Sequence, residues 1–324
     1  MEKFKLKGWC PSLEKPMETG DGLLVRIPIK FGELSSDIVQ QIAELAGKYG
    51  NGNLDLSARG NLQLRGVTPE TYRPLREGLA CLGFERDFSL QIITSPFDKK
   101  AREIAEELRI KSAELGVNLA EKFLIVIDSG GWFPLSAIPC DLYIKSEQAN
   151  IPQILSILQN TKKYSKKPAD EKALLPPLGF IPFSEQSGVV SLAVPFGRLK
   201  IWLLIELASL ADEFSGGKII LAPFRRVILP NIAYGKAEKL IQAADKIGFI
   251  TRNSDSRLNI HACVGAPDCS SALGNTRNIA EKWAKEHPNL TQIVHITGCA
   301  KGCAYKGKAD ITITATTTGY EIEQ

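Results

Sequence analysis

The chain has 324 residues, 44% of them hydrophobic and 23% charged, so it is neither disordered nor fibrous and has the length for about two domains with sizeable cores. Its 40 basic residues against 36 acidic ones leave a net charge of +4, too slight to imply a nucleic acid partner. No run approaches roughly 18 uncharged apolar residues, and the Met1-Glu2-Lys3 start lacks an apolar signal core, so no membrane partner is expected and the reading is cytoplasmic.

Residues 1–17 form an N-terminal arm containing Gly8-Trp9-Cys10-Pro11. In 18–88, Val25, Ile27 and Ile29 alternate as in a half-buried strand. Ile38, Ile42, Leu45, Ala46 and Tyr49 then share one face of a helix that ends at Gly50 and Gly52. Short strands follow around Leu54 and Leu56 and around Leu62 and Leu64. A second helix has Thr68 as its cap, Pro69 in its first turn, and Leu75, Leu79 and Leu82 on its buried face. Strand, helix, strand, strand, helix is the order of a ferredoxin-like unit. Residues 89–158 add a helix over 99–115, an apolar strand over 123–127 and a strand over 141–145. A linker spans 159–178, rich in Lys162, Lys163, Lys166, Lys167, Pro168, Pro176 and Pro177.

Beyond it the pattern returns. At an offset of 165 residues Val25, Ile27 and Ile29 fall on Val190, Leu192 and Val194, and the first helix face falls on Leu203, Leu207, Leu210, Ala211 and Phe214. Residues 179–252 are thus a second ferredoxin-like copy, and 253–324 a second associated unit, with a helix over 271–285 and strands over 292–296 and 310–313. The expected fold is α+β: duplicated ferredoxin-like half-domains with two associated α/β units, related by a pseudo-two-fold axis.

Seven cysteines in a reducing compartment point to metal binding, catalysis or burial rather than disulfides. Cys81, beside Leu79 and Leu82, and Cys140, before a strand, read as small buried hydrophobes. Cys263, Cys269, Cys299 and Cys303 are different: they are spaced C-x5-C and C-x3-C and stand among Ala262, Gly265, Gly298, Gly302 and Ala304. Small neighbours let backbone amides approach a bulky cofactor, and thiolates suit iron-sulfur or zinc. The C-x5-C pair is wider than a zinc knuckle, so a 4Fe-4S cluster is the favoured cofactor. His261 and His295, each shortly before a cluster cysteine, read as structural rather than as ligands of a second metal, and His287 as a helix-end residue. Gly20-Asp21-Gly22 only echoes a dinucleotide loop, because Val25 stands where the third glycine belongs. Without a flavin or nicotinamide motif, electrons are expected from an external donor, a ferredoxin or a reductase.

A duplicated ferredoxin-like chain with cysteines in its second half resembles the nitrite and sulfite reductase superfamily over nearly its whole length, which implies that 89–158 and 253–324 are units of that type. Within it the chain is similar to the precorrin-3B synthase subgroup in Gly8-Trp9-Cys10-Pro11, in Pro16-Met17-Glu18-Thr19-Gly20-Asp21-Gly22-Leu23-Leu24, in Asn61-Leu62-Gln63-Leu64-Arg65-Gly66, and in Gly298-Cys299-Ala300-Lys301-Gly302-Cys303-Ala304. The resemblance implies a tetrapyrrole substrate whose carboxylates are held by Arg59, Arg65, Arg225, Arg226 and Lys122. It also implies oxygen-dependent hydroxylation with lactone formation in aerobic cobalamin biosynthesis, and a mononuclear non-haem iron whose ligands the sequence does not identify. No catalytic residue is identified. Arg59 and Arg65, six apart, are expected to project to one side of a strand, with surface salt bridging as the alternative. Sulfite reductases carry two lysines one residue apart where this chain has Lys122 and Leu124, so an oxyanion would lack one cation here. Ser12 and Tyr305 depart from the synthase pattern. The alternatives are a siroheme-dependent nitrite or sulfite reductase, in which Cys303 would bridge cluster and haem iron, and a non-catalytic tetrapyrrole or cluster carrier.

Overall fold

A computed structural model describes residues 10–86, 90–120, 122–161, 174–305 and 307–324. Gly8, Trp9 and the linker residues Lys162 to Pro168 lie outside these ranges.

The first half runs β1 (Met17–Thr19), β2 (Gly22–Ile27), β3 (Glu33–Ser35), α1 (Ser36–Tyr49), β4 (Asn53–Leu56), β5 (Leu62–Val67) and α2 (Pro69–Cys81). It continues through β6 (Gln91–Thr94), α3 (Lys99–Glu114), β7 (Leu124–Asp128), β8 (Leu142–Lys145) and α4 (Ile151–Asn160). The second half has β9 (Gly179–Pro182), β10 (Ser187–Ala193), β11 (Arg198–Lys200), α5 (Ile201–Ser215), β12 (Lys218–Ala222), β13 (Arg226–Ala233) and α6 (Tyr234–Lys246). Its last unit has β14 (Ile260–Ala262), α7 (Thr276–Glu286), β15 (Val294–Thr297), β16 (Ile311–Thr316) and β17 (Gly319–Glu323).

Two five-stranded sheets, ordered β1-β2-β5-β4-β11 and β3-β12-β13-β10-β9, carry the ferredoxin-like halves. Each borrows a short strand from the other half: β11 pairs with β4, and β3 pairs with β12. The turns that launch these exchanges match across the pseudo-axis. Gly32 and Gly197 both take φ +74, and a Cβ there would lie 1.9 Å from the Leu221 carbonyl oxygen and 2.7 Å from that of Leu56. Only glycine accepts both the positive φ and the close approach. Helices α1 and α5 pack on each other, and one apolar core joins both copies through Val25, Ile42, Leu64, Leu192, Leu207 and Leu229. Each fully buried aliphatic side chain of this kind contributes about 1.5–3 kcal/mol.

The units fold as three-stranded β6-β7-β8, parallel throughout, and four-stranded β14-β15-β16-β17, in which the last strand runs antiparallel. The Asp141 carboxylate accepts from the Leu124 amide at 2.9 Å, and that of Asp310 accepts from the Ile293 amide at 2.7 Å, so the units share their strand-entry bond as well as their order.

Three expectations need correction. Helix α7 starts at Thr276, because 271–275 close the cysteine loop through Ala272 N–H to Cys269 O, Leu273 N–H to Gly298 O and Ala266 N–H to Gly274 O. Cys81 is exposed rather than buried, since α2 buries Leu75 and Leu79 and a residue two places on turns about 200° around the helix. Arg59 lies in the turn between β4 and β5, so strand alternation does not relate it to Arg65. Cys140 is buried as expected.

Candidate functional site

The four thiols come from two loops at the ends of parallel neighbours. Cys263 directly follows β14, and Cys299 follows β15 after Gly298. The Gly298 N–H donates to Cys263 Sγ at 3.2 Å, and a Cβ on Gly298 would lie 2.6 Å from that of Ala272. The Cys263 thiol is pulled below its ordinary value, chiefly by its hydrogen bond with Cys303 and further by the Gly298 amide, the Thr276 hydroxyl and the Gly265 amide; the same pairing raises Cys303. Cys303 also lies in the fields of Cys299 and Cys269, and its side chain is exposed. Four cysteines on two neighbouring loops, with the Gly298 amide aimed at sulfur and glycines that leave room, fit an iron-sulfur cluster. Among the described residues no group of three or more His, Cys, Asp or Glu side chains has the geometry of a single-ion site.

His261 and His295 face each other across β14 and β15, and the His261 ring stacks on Tyr305 at 4.3 Å. Burial, then Arg225 and His295, push His261 down to about 4. His287 caps α7, exposed, its ring stacked on Trp283 at 4.3 Å.

The first sheet joins this unit to the rest of the molecule. Its inner face packs the common core, while its other face carries a polar row with one residue per strand: Arg26 opposite Gln63, Gln63 opposite Asp55, Asp55 opposite Arg198. Four strands place the ends of the row about 14 Å apart. At the Arg198 end a buried ion network forms. Asp55 accepts from Arg277 at 2.8 Å, Arg198 at 2.9 Å and Arg65 at 3.3 Å. Arg198 reaches on to the Asp268 carboxylate at 2.6 Å, and Arg65 to Asp21 at 2.7 Å and to the Asp268 carbonyl oxygen at 2.9 Å. Burial alone would raise the Asp55 carboxyl, but Arg277, Arg198 and Arg65 outweigh it and hold the group below its ordinary value.

The Arg26 end opens into a cleft between this sheet, the β6-β7 unit and the end of β12. Arg26, Arg59, Asn61, Phe31, Arg109 and Leu124 are among its walls, and among the described residues no carboxylate lines it. Among the described residues Arg26 Nε is buried without a hydrogen-bond partner. Burial lowers Arg59, with Arg26 adding to the effect and Cys10 and Asp141 opposing it. Phe31 presents its ring to the guanidinium groups of Arg102 and Arg109, at 5.1 and 5.5 Å.

The expected carboxylate-holding residues do not share one patch. Arg59 stands in the cleft. Arg65, 3% exposed, is engaged in the ion network. Arg225, at φ +58, lies in the turn that meets the Arg59 turn through Phe224 N–H to Ala58 O at 2.8 Å, and its charge is felt by Asp55 and His261. Arg226 is buried at the start of β13, with Nη2 on Pro176 O at 3.3 Å and burial lowering it to about 10. Lys122 is exposed before β7 and outside the cleft lining, whereas Leu124 lines the cleft and packs into the core with Val126 and Phe133. Sequence reasoning did not single out Arg26, Arg109, Asp55, Arg198, Asp268 or Arg277. The signal available for Asp55 and Arg26 was a charge inside an apolar strand.

Comparison with known proteins places the class first. Residues 15–80 match the nitrite/sulfite reductase ferredoxin-like half domain. The solved structure of Mycobacterium tuberculosis NirA shares the fold, with a TM-score of 0.67 at 16% identity over 93% of this chain and 73% of that one. A ferredoxin–nitrite reductase of Synechococcus elongatus is 24% identical over 94% of this chain and 78% of its own length, and the chloroplastic enzyme of Arabidopsis thaliana is 34% identical over 38% of this chain and 22% of its own. The particular likeness is to precorrin-3B synthase of Sinorhizobium sp, 27% identical over 97% of this chain and 82% of that protein. The resemblance read from the sequence, to precorrin-3B synthase within the nitrite and sulfite reductases, therefore stands, and these relatives are enzymes. Among the described residues no helix is long and apolar enough to cross a membrane.

Proposed function

We propose that the protein is a cluster-dependent oxidoreductase of the precorrin-3B synthase kind, hydroxylating precorrin-3A with dioxygen and closing a lactone from an acetate side chain. The observation that carries this is the cleft with Arg26, Arg59 and Arg109 in its walls and no carboxylate among the described residues that line it, on the sheet face whose far end grips the cysteine loop. Guanidinium groups pair bidentately with carboxylates, and a precursor tetrapyrrole offers several. Likeness to the Sinorhizobium synthase over 97% of the chain supports the same reading. Inserting one atom of dioxygen and reducing the other to water takes two electrons, which the reading assigns to an external ferredoxin or reductase. A 4Fe-4S cluster, held by Cys263, Cys269, Cys299 and Cys303, supplies one-electron transfer when bound. The protein residues bind and orient: Arg26 and Arg59 hold carboxylates, Arg109, whose Nη1 donates to Glu106 at 2.8 Å, adds positive charge to the cleft wall, Leu124 offers an apolar wall and Tyr305 fixes the His261 ring. A mononuclear iron belongs to this reading through the resemblance alone.

The second reading is a siroheme-dependent nitrite or sulfite reductase, favoured by similarity to the Synechococcus nitrite reductase over 94% of the chain. Against it, Leu124 puts an apolar group where such an enzyme needs a second cation to stabilise oxyanion charge. Anaerobic absorption spectra and turnover assays separate the two. The synthase reading expects a broad cluster absorbance without a sharp haem band, oxygen-dependent turnover of precorrin-3A with a reductase, and negligible sulfite or nitrite reduction. Sustained reduction of sulfite by the unmodified protein would overturn it. Tetrapyrrole binding without either activity would indicate a carrier.

A further inference from the structure

The segment Thr19-Gly20-Asp21-Gly22, set apart by its glycines yet not a dinucleotide loop, lies against the cysteine loop of the opposite half. A Cβ on Gly20 would lie 2.2 Å from Ser270 N and 2.7 Å from the Cys269 carbonyl carbon. Gly20 does not have a positive φ, so an alanine there carries no backbone penalty of its own; what it meets is the Cys269-Ser270 main chain. Asp21 acts from the adjoining position. Its carboxylate accepts from Arg65 Nε at 3.0 Å and Nη2 at 2.7 Å, from Thr19 Oγ1 at 2.8 Å and from Asn51 Nδ2 at 3.0 Å. The same Arg65 Nη2 donates to the carbonyl oxygen of Asp268, the residue before Cys269.

We propose that this first-half turn is the seat on which the Cys269 loop is set, making Gly20 and Asp21 positioning residues for cluster retention although all four thiols belong to the second half. The loop has bonds of its own, Cys269 N–H to Gly265 O and Ala266 N–H to Gly274 O, but these fix its internal shape. Its placement relative to the rest comes from Arg65, aligned by Asp21, and from Arg198 on the Asp268 carboxylate. Arg65 is 3% exposed, so water cannot replace the Asp268 carbonyl if the loop shifts. A methyl at position 20 would stand 2.2 Å from Ser270 N, so the Cys269 segment must move by about an ångström to reach ordinary van der Waals contact, which breaks this bond and displaces one ligand of four.

The inference rests on the reading of the four cysteines as cluster ligands, and the experiment keeps the two separable. The wild type, Gly20→Ala, Asp21→Asn and the control Gly235→Ala, whose added methyl meets open space, are purified without oxygen. Iron and acid-labile sulfide are measured together with the rate of iron release to a ferrous chelator, and far-UV circular dichroism checks the fold. Gly235→Ala should match the wild type, while Gly20→Ala and Asp21→Asn lose iron at least about tenfold faster with unchanged secondary structure, the factor expected for one lost charge-assisted hydrogen bond. Release rates equal to wild type in both variants, with the wild type fully loaded, overturn the proposal and leave the cluster reading standing. A wild type without stoichiometric iron and sulfide removes the cluster reading itself. Should Gly20→Ala not fold, Asp21→Asn, which keeps the glycine and nearly the same volume, decides the matter.

Discussion

Asp55 accepts from three arginines in the buried ion network, and its removal gives a quantitative test of that network. Asp55→Ala leaves Arg65, Arg198 and Arg277 without the anion they share, at side-chain exposures of 3%, 14% and 15%. Arg65 and Arg198 keep Asp21 and Asp268, but Arg277 keeps only a 3.9 Å approach to Asp268, and burial already lowers it to about 10. Breaking a buried pair by deleting one partner costs about 3–5 kcal/mol, most of it the penalty of a charge left without water or a counter-ion. At about 2 °C per kcal/mol for a chain of this size, the melting midpoint should fall by about 6–10 °C. Calorimetry at pH 7 measures it, and the loss should persist at high salt, because buried charges are poorly screened. A midpoint within about 2 °C of wild type would refute the claim that this network holds the sheet to the cysteine loop.

The same carboxylate sets a pH dependence. Its pKa is held below the ordinary value in the fold, so its stabilisation is complete above about pH 4 and is lost as pH falls through the folded pKa; denaturant titrations should show the gap between wild type and Asp55→Asn constant from pH 7 down to about pH 4 and narrowing below it. Cys269→Ser should abolish both iron and acid-labile sulfide, about four of each per chain in the wild type, whereas stoichiometric zinc without sulfide would rule out the cluster. Arg59→Ala should weaken tetrapyrrole binding by at least about 1.5 kcal/mol in a fluorescence titration, and an unchanged Kd would show that this arginine serves structure alone. Gly32→Ala, pressed against the Leu221 carbonyl oxygen at positive φ, should cost about 1–3 kcal/mol in a urea melt, while no loss would mean that the β3-β12 exchange gives way freely.

The duplication and the cores of both copies were legible because each leaves a periodic trace. Val25, Ile27 and Leu64 announce an inner face by alternation, and the structure buries all three. Alternation cannot say whether the opposite face meets water. Gln63, Arg65 and Asp55 occupy that face as solvent-facing residues would, yet the unit that carries the four cysteines packs against it, so Arg65 turns from an expected ligand-holding side chain into a member of an internal network. The exchanged β3 and β11, three residues each, are too short to leave a period, and β17, exposed along its whole length, has no buried face to mark one. Arg109 was hidden for another reason: it lies on a helix with other charges, and only the approach of Phe31 from a distant turn gives it a place in the cleft.

The traded strands β3 and β11 amount to a domain swap carried out within one polypeptide. Two separate copies of a single half, arranged about a two-fold axis, could make the same trade, each lending its short strand to the other's sheet edge. Fusion into one chain turns that dimer contact into an intramolecular one and frees the halves to diverge. One half then keeps cysteines after its parallel strands, while the other has Ser95 and Gly130 at the corresponding strand ends. Fragments severed between the halves should therefore each expose a sheet edge complementary to the other and recombine into a 1:1 complex, and fragments that stay apart would show that the shared edges contribute little to holding the molecule together.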